Sequence, residues 1–582
     1  MNYDVVIKNG LYFDGTGAPG AIRHIGVRDG RVVEVSNLSL IEEKAKRVID
    51  ATDRWVMPGF LDIHTHYDAE VVVAPALRES VRQGVTTVAL GSCSLSMITS
   101  EPEDCADLFT RVEAVPREAI LPVLRDKKTW RTPAEYRAFY EGHPIGPNVM
   151  CFVGHSDIRV TVMGIERASS RIKPTEAELI RMERLLEDSL DAGCIGMSVM
   201  TSRLDKMDGD RVWSRPLPST YANWSEFGRL FRILRRRGAI MQGAPDAVGK
   251  VNIFAFLFHA IGLFGRSLKM TMLTAMDLKS QPYLHRVTRA SAWIVNRLLG
   301  ADLRWQALPA PFSVYADGLD IALFEEFSVG EKLRDIKNED DRYRMAEDPA
   351  FRKAFKKAMK ATLSIGLWDR KVADVRIVAC PDASMIGRTL GEIGKEQGQD
   401  GIDAFVELAV KYRKKLRTTL CIGNERVDVM HKLISSPNTH IGFADSGAHI
   451  RGLAKYNFGL RLLKYVRDAE LAGQPFMELG RAVHRLTGEL ADWFGVDAGH
   501  IRVGDRADMV IVNPQGLDKS LDEVAEAPIE NINLVRLVNR NDAAVDATLI
   551  NGRVAYERGA GFADYLGKER GYGIWLSARL AA

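Results

Sequence analysis

Neither a basic leader followed by an apolar core nor a run long enough to cross a bilayer occurs in this chain. It opens Met1-Asn2-Tyr3-Asp4-Val5-Val6-Ile7, which is not the pattern of a secretory signal. The most apolar stretch, Val251 to Gly265, holds Asn252 and His259 and at about 15 residues is short of the ~20 a span requires, so it reads as a buried helix. Cysteine is sparse: six in 582 residues, without paired spacings, as expected of reduced thiols in a cytoplasm. Net charge is almost absent, since 79 Lys and Arg against 76 Asp and Glu leave +3, too little to argue for a nucleic-acid partner or an anionic membrane. The Arg235-Arg236-Arg237 run reads as the solvated end of a helix. Internal repeats and low-complexity tracts are missing too, and 46% apolar with 27% charged residues is ordinary globular usage. What remains is a small-molecule partner, no inserted membrane segment, a cytoplasmic location, and homo-oligomerisation left open.

The texture of the chain changes twice. Residues 1–57 alternate short β-rich runs with turns at Asn9-Gly10 and Asp29-Gly30, and residues 497–582 repeat that pattern around Met509 to Val512 and the Asn551-Gly552 turn. Neither end has both faces of a β-sandwich, so the two are expected to build one small domain together. Between them, residues 58–496 alternate apolar runs with helical stretches. Eight candidate strands can be counted: Phe60 to Ile63, Val85 to Leu90, Val149 to Val153, Cys194 to Val199, Ala239 to Met241, Lys269 to Leu273, Arg304 to Leu308 and Ile441 to Ala444. The fold class is therefore α/β, a (β/α)8 TIM barrel, with inserted helices such as Glu331 to Lys360 between strands seven and eight. An open doubly wound sheet is the alternative, but no Gly-rich phosphate loop follows the first strand.

Chemistry gathers at the carboxyl ends of these strands. His64 and His66, two residues apart on a strand, face the same way and make a ready metal pair. Gly91-Ser92-Cys93-Ser94 brings a thiol to the same rim, either a ligand or an inert buried cysteine. Strand three delivers His155, a substrate or metal contact or a structural histidine, with Arg159 after it, which orients the rim or binds a substrate carboxylate or makes a structural salt bridge. Strand eight delivers Asp445, able to ligate metal and to take a proton from water, or to cap a helix. His449 and Arg451 follow on its loop, as substrate contacts or as plain loop polarity. Trp305, Phe312 and Tyr315 hint at an apolar acyl or aromatic pocket, although core packing is the simpler reading of them.

Taken together, Val56 to His66, Gly84-Val85-Thr86-Thr87-Val88 with Cys93, Val153-Gly154-His155 with Arg159, Asp445-Ser446-Gly447-Ala448-His449, and the terminal Gly504 to Val510 and Ile550 to Val554 resemble the amidohydrolase superfamily, and within it the N-acyl-D-amino-acid deacylase branch, over nearly the whole chain. The chain departs from that family at strands five and six, where usual metal-binding histidines give way to Met241-Gln242-Gly243-Ala244 and Leu273-Thr274-Ala275-Met276. Ser92 and Ser94 replace the Asn and Gly that flank the cysteine, and strand six has no basic residue for a substrate carboxylate.

The resemblance implies one metal, most simply zinc, on His64, His66 and Asp445 with Cys93 beside it, and no second tight site because Gln242 and Thr274 are poor substitutes for imidazole. It implies Asp445 as the proton-transfer residue; the residues' own placement makes His155 or Gln242 candidates for oxyanion help and Arg159, Gln242, His449 and Arg451 candidate substrate contacts. The expected activity is metal-dependent hydrolysis of an amide, of an N-acyl amino acid or a related acyl or cyclic amide. An ester or lactone hydrolase and an inactive scaffold are the alternatives.

Overall fold

The structure is a computed structural model that describes residues 2–580 apart from 41–43, 112, 247–250, 263–264 and 361–365. Its centre is an eight-stranded parallel sheet formed, in this spatial order, by Phe60–Asp62, Val85–Leu90, Asn148–Gly154, Gly196–Met200, Ile240–Ala244, Lys269–Met272, Asp302–Ala307 and Thr439–Ile441. A parallel bridge from Thr65 to Ser446, with the His66 N–H donating to the Ser446 carbonyl at 2.8 Å, joins the first strand to the eighth and closes the barrel. Every residue of the second and third strands is buried, which is why they read as unbroken apolar runs rather than alternating ones. All eight candidate strands occur, Val85 to Leu90 with the expected ends and the others with ends shifted by at most three residues.

Outer helices start where the sequence supplies caps. Thr175 and Glu178 form a reciprocal capping box on helix Glu176–Asp191, and Asn223 caps Trp224–Arg237. The Arg235-Arg236-Arg237 run is the last turn of the latter helix. One reading is overturned: the stretch from Val251 is not a buried helix. Val251–Ala260 is helical, but Phe254 and Phe258 stand exposed, and residues 263–264 lie outside the described residues.

Between the seventh and eighth strands the chain inserts helices and, beyond what periodicity suggested, a three-stranded sheet of Phe312–Asp317, Arg376–Ala379 and Arg417–Gly423. This insertion roofs the barrel's carboxyl end. Strands from both ends of the chain share one nine-stranded sheet, joined where Trp55–Pro58 pairs antiparallel with Met509–Val512. Val5, Ile25, Val27, Met509 and Leu549 form a separate core inside it. The chain then returns along the third barrel strand, where the Val149 N–H donates to the Ile574 carbonyl at 2.9 Å.

Candidate active site

The first strand ends at Asp62, and after a bend at His64 both His64 and His66 lie fully or nearly fully buried at the barrel mouth. Each imidazole is held by its Nδ1. That of His64 lies 2.9 Å from Oε1 of Gln306, whose amide nitrogen donates to Thr271 Oγ1 at 3.2 Å. With the Gln306 amide fixed that way round, its oxygen accepts from Nδ1–H and the Nε2 lone pair of His64 points into the site. Nδ1 of His66 lies 3.2 Å from Glu113 Oε1.

Nε2 of His64 is 3.3 Å from the Cys93 sulfur and 3.3 Å from Asp445 Oδ1, and Nε2 of His66 is 3.6 Å from that same oxygen. The donor atoms of His64, His66 and Cys93 all lie within 4.8 Å of one another. Tetrahedral bonds of about 2.1 Å separate neighbouring ligands by about 3.4 Å, which the contacts of 3.3, 3.3 and 3.6 Å already match. Two imidazoles, a thiol and a carboxylate also match a borderline-soft ion.

The loops that deliver the ligands are bent to do so. Cys93 (φ 53°), Asp445 (φ 53°) and His449 (φ 45°) all occupy the left-handed region, a cost that side-chain residues bear mainly at functional sites. The Cys93 turn is pinned by its N–H donating to Gln242 Oε1 at 3.0 Å and by the Ser94 N–H donating to Ser198 Oγ at 2.9 Å.

Electrostatics sort the groups. Burial pushes His64 down to about 4. Burial acts on His66 in the same direction, but the carboxylates of Glu113 and Asp445 outweigh it and raise the ring to about 9. Burial would lift Asp445, yet the hydrogen bond from His66 and the charges of both imidazoles hold it at about 2. Burial first, and then the charges of neighbouring carboxylates, push the Cys93 thiol well up and lift Glu113 to about 8 against the pull of His66, the response of acids gathered without a compensating cation. Beneath them Asp62 accepts from Ser446 Oγ at 2.7 Å and Asp68 from the Gly91 N–H at 3.2 Å, both raised to about 7 by burial.

A cavity of ≈ 380 Å³ opens above this cluster, with His66, Cys93, Glu113, Asp445 and His449 on its floor and mostly apolar walls that include Met200, Trp305, Phe312 and Phe443. Trp305, Phe312 and Tyr315 thus line a pocket. Asp205, lifted to about 6 by burial, also faces it.

Four sequence-predicted contacts are put to other uses. Arg159, 1% exposed, spends Nη1 on both oxygens of Glu226 (2.6 and 2.5 Å) and Nε on the Ala168 carbonyl, so a buried ion pair replaces substrate binding. His155 lies beside that group, with Nε2 3.1 Å from Glu226 Oε1 and Nδ1 3.1 Å from Ser219 Oγ, and does not line the cavity. Gln242 points at the Cys93 backbone, not at substrate. Arg451 binds Asp317 and Glu526, each at 2.9 Å. His449 alone of the predicted substrate contacts lines the cavity. Sequence reasoning missed Glu113, Gln306 and Asp205. Only Gln306 left a trace, as an uncharged polar residue inside an apolar strand.

No family model matches the chain. It is 46% identical over 587 residues to an uncharacterized protein of Mycobacterium tuberculosis, spanning 99% of this chain and 96% of the relative. An N-acyl-D-glutamate deacylase of Alcaligenes xylosoxydans xylosoxydans is 31% identical over 238 residues, 41% of this chain and 42% of that protein, and a D-aminoacylase of the same organism is 31% identical over 199 residues, 34% and 37%. The N-acyl-D-glutamate deacylase of Bordetella bronchiseptica, solved with zinc and a phosphonate inhibitor, superposes with a TM-score of 0.61 at 22% identity, covering 99% of this chain and all of that one.

Proposed function

We propose that the chain is a D-aminoacylase-like amidohydrolase that cleaves an amide C–N bond with water at the His64, His66, Cys93 and Asp445 cluster. The observation that carries the reading is the convergence of these four donors at 3.3–3.6 Å on the cavity floor. A divalent ion held there, zinc by the softness of its donors, would supply Lewis acidity toward the substrate carbonyl and a water acidic enough to attack near neutrality. The inactive-scaffold alternative loses its motive, because the donors that remain are assembled and oriented.

The protein's own residues do the rest. Asp445, ionised across the working range, accepts a proton from the water whose oxygen adds to the carbonyl carbon, and returns it to the nitrogen as the C–N bond breaks. Gln306 and Glu113 fix the imidazole tautomers, and Gln242 fixes the turn that presents the thiol. The apolar walls receive the acyl group and exclude bulk water.

An N-acyl amino acid is the substrate class that best suits this cavity. Its carboxylate partner is Arg111, which lines the wall and gives Nη2 to Glu325 (2.6 Å) and Asp335 (2.9 Å) while its buried Nη1 has no hydrogen-bond partner. A planar fork with an unused arm can still take a carboxylate oxygen. The test is amine release by metal-reconstituted protein from N-acyl-D- and N-acyl-L-amino acids, neutral acyl amides and lactones. Amide cleavage that falls by ~10²-fold or more in Asp445→Asn is expected. Stoichiometrically loaded protein that releases no amine from any amide, or that opens lactones alone, would overturn the reading.

A further inference from the structure

Helix Leu284–Leu298, which follows the sixth barrel strand, is amphipathic the wrong way round. It buries His285, Thr288, Ala292 and Val295 and turns outward Tyr283, Val287, Ile294 and Leu298, which are 69, 61, 44 and 58% exposed. Steps of four, seven and four residues put these on one stripe, and Trp293, 54% exposed, stands beside it. Its neighbour Val251–Ala260, after the fifth strand, presents Phe254 and Phe258 one turn apart at 74 and 72% exposure. The two helices meet at their carboxyl ends, where the Gly262 N–H donates to the Leu299 carbonyl at 3.1 Å, and Ile253, Leu284 and Thr288 on them line the cavity. Among the described residues, seven of the nineteen exposed large apolar side chains fall between Phe254 and Leu298. Single exposed apolar residues need no explanation, but a gathered set does.

Charge decides what covers the patch. Arg286, Arg289 and Arg297 are all exposed on helix Leu284–Leu298, which holds no acidic residue. Across residues 251–298 the sole acid is Asp277, buried and bound by Arg426 at 2.8 Å. A second copy of the chain packed about a two-fold axis through this patch would set these arginines against their own kind, and the two helices offer them no carboxylate. Anionic lipid headgroups offer each guanidinium a partner while the layer beneath them accepts Phe, Trp and Ile, the combination an in-plane amphipathic helix exploits. No helix among the described residues is long and apolar enough to cross a membrane, so the contact is one of lying on the surface. A whole-chain charge of +3 conceals this local excess.

We propose that helices Val251–Ala260 and Leu284–Leu298 seat the protein on an anionic lipid bilayer, with Phe254, Phe258, Trp293 and Ile294 in the interfacial layer and Arg286, Arg289 and Arg297 on the headgroups. The proposal does not depend on the reaction assigned to the site. It is tested by sedimenting the full chain with vesicles of phosphatidylcholine alone or mixed with phosphatidylglycerol, at low and high salt. The expected result is binding to the mixed vesicles that weakens with salt. Replacing the three arginines by Gln should lower it on the order of a hundredfold at about a factor of five per charge, and Phe254→Ser with Phe258→Ser should lower it about tenfold or more. All these side chains are exposed, so the variants should keep the wild-type circular dichroism. Failure to bind mixed vesicles, binding unaltered in both variants, or self-association abolished by the Phe replacements would each overturn the proposal, the last in favour of a second copy.

Discussion

Glu113 sets its carboxylate oxygen 3.2 Å from Nδ1 of His66, from a loop that no strand-end pattern identifies. Both side chains are buried: burial raises the acid, while for the imidazole burial is outweighed by the charges of Glu113 and Asp445, which raise it. The contact turns Nδ1 toward Glu113 and leaves Nε2 to face the Asp445 side of the cluster. Glu113→Gln retains an acceptor for Nδ1 but removes the charge that makes His66 a strong donor. Metal affinity, measured by competition against a chelator, should fall about tenfold to a hundredfold, the usual cost of such a partner. An unchanged dissociation constant would show that the contact is incidental.

One tightly held ion per chain is expected on purification. The strand-five position that would serve a second ion is Gln242, committed to the Cys93 N–H, and the strand-six position is Thr274, whose hydroxyl donates to the Gln306 carbonyl at 3.0 Å. Neither can turn to a metal without breaking a bond to the first site's supports, and amide or hydroxyl oxygen suits zinc poorly. A His64→Ala, His66→Ala double variant should lose both the ion and the activity. Elemental analysis that returns two stoichiometric ions would refute the assignment.

How much of this could be read beforehand follows from where the information lies. The barrel was legible because each strand is a short apolar run between turn residues, and His64, His66, Cys93 and Asp445 were legible because they sit at strand ends, where the fold itself says side chains converge. Glu113 was not, because a glutamate in Arg111-Val112-Glu113-Ala114 looks like any solvated loop until tertiary packing buries it. Arg159 left its salt-bridge and substrate readings level for the complementary reason: its partner Glu226 lies 67 residues away on another helix, and no local pattern announces such a pairing. The Val251 stretch misled because apolar composition was taken for burial, although composition does not say which face of a helix is turned to the barrel.

Two arginines should therefore behave in opposite ways. Arg159 and Glu226 are each 1% exposed, so Glu226→Ala strands a buried guanidinium and should cost about 3–5 kcal/mol of stability while leaving the Michaelis constant for substrate unaltered. Arg111→Met should instead raise that constant for carboxylate-bearing substrates and not for neutral amides. Denaturant unfolding and steady-state kinetics on the two variants decide between them, and exchanged phenotypes would mean the substrate pocket has been assigned to the wrong arginine.

The last expectation concerns a group outside the site. Lys455 is 6% exposed, gives Nζ to the Pro311 carbonyl at 2.9 Å, and is pushed down to about 7 from 10.5 by burial and then by the charge of Arg461. A depressed lysine opposes folding wherever the unfolded chain binds the proton more readily than the folded one. Between about pH 7 and 10.5 the unfolded state holds more protons, so stability rises with pH across that window, and below it the full penalty of a buried ammonium remains. Lys455→Met removes the titrating group, at the expense of one hydrogen bond to Pro311. The variant's advantage over the wild-type protein should be largest near pH 6.5 and should shrink by on the order of 3 kcal/mol by pH 9.5, from about 1.4 kcal/mol per pKa unit. Thermal midpoints of both proteins at the two pH values measure it. A gain that stays constant or grows with pH would mean that Lys455 is not the depressed base that its burial implies.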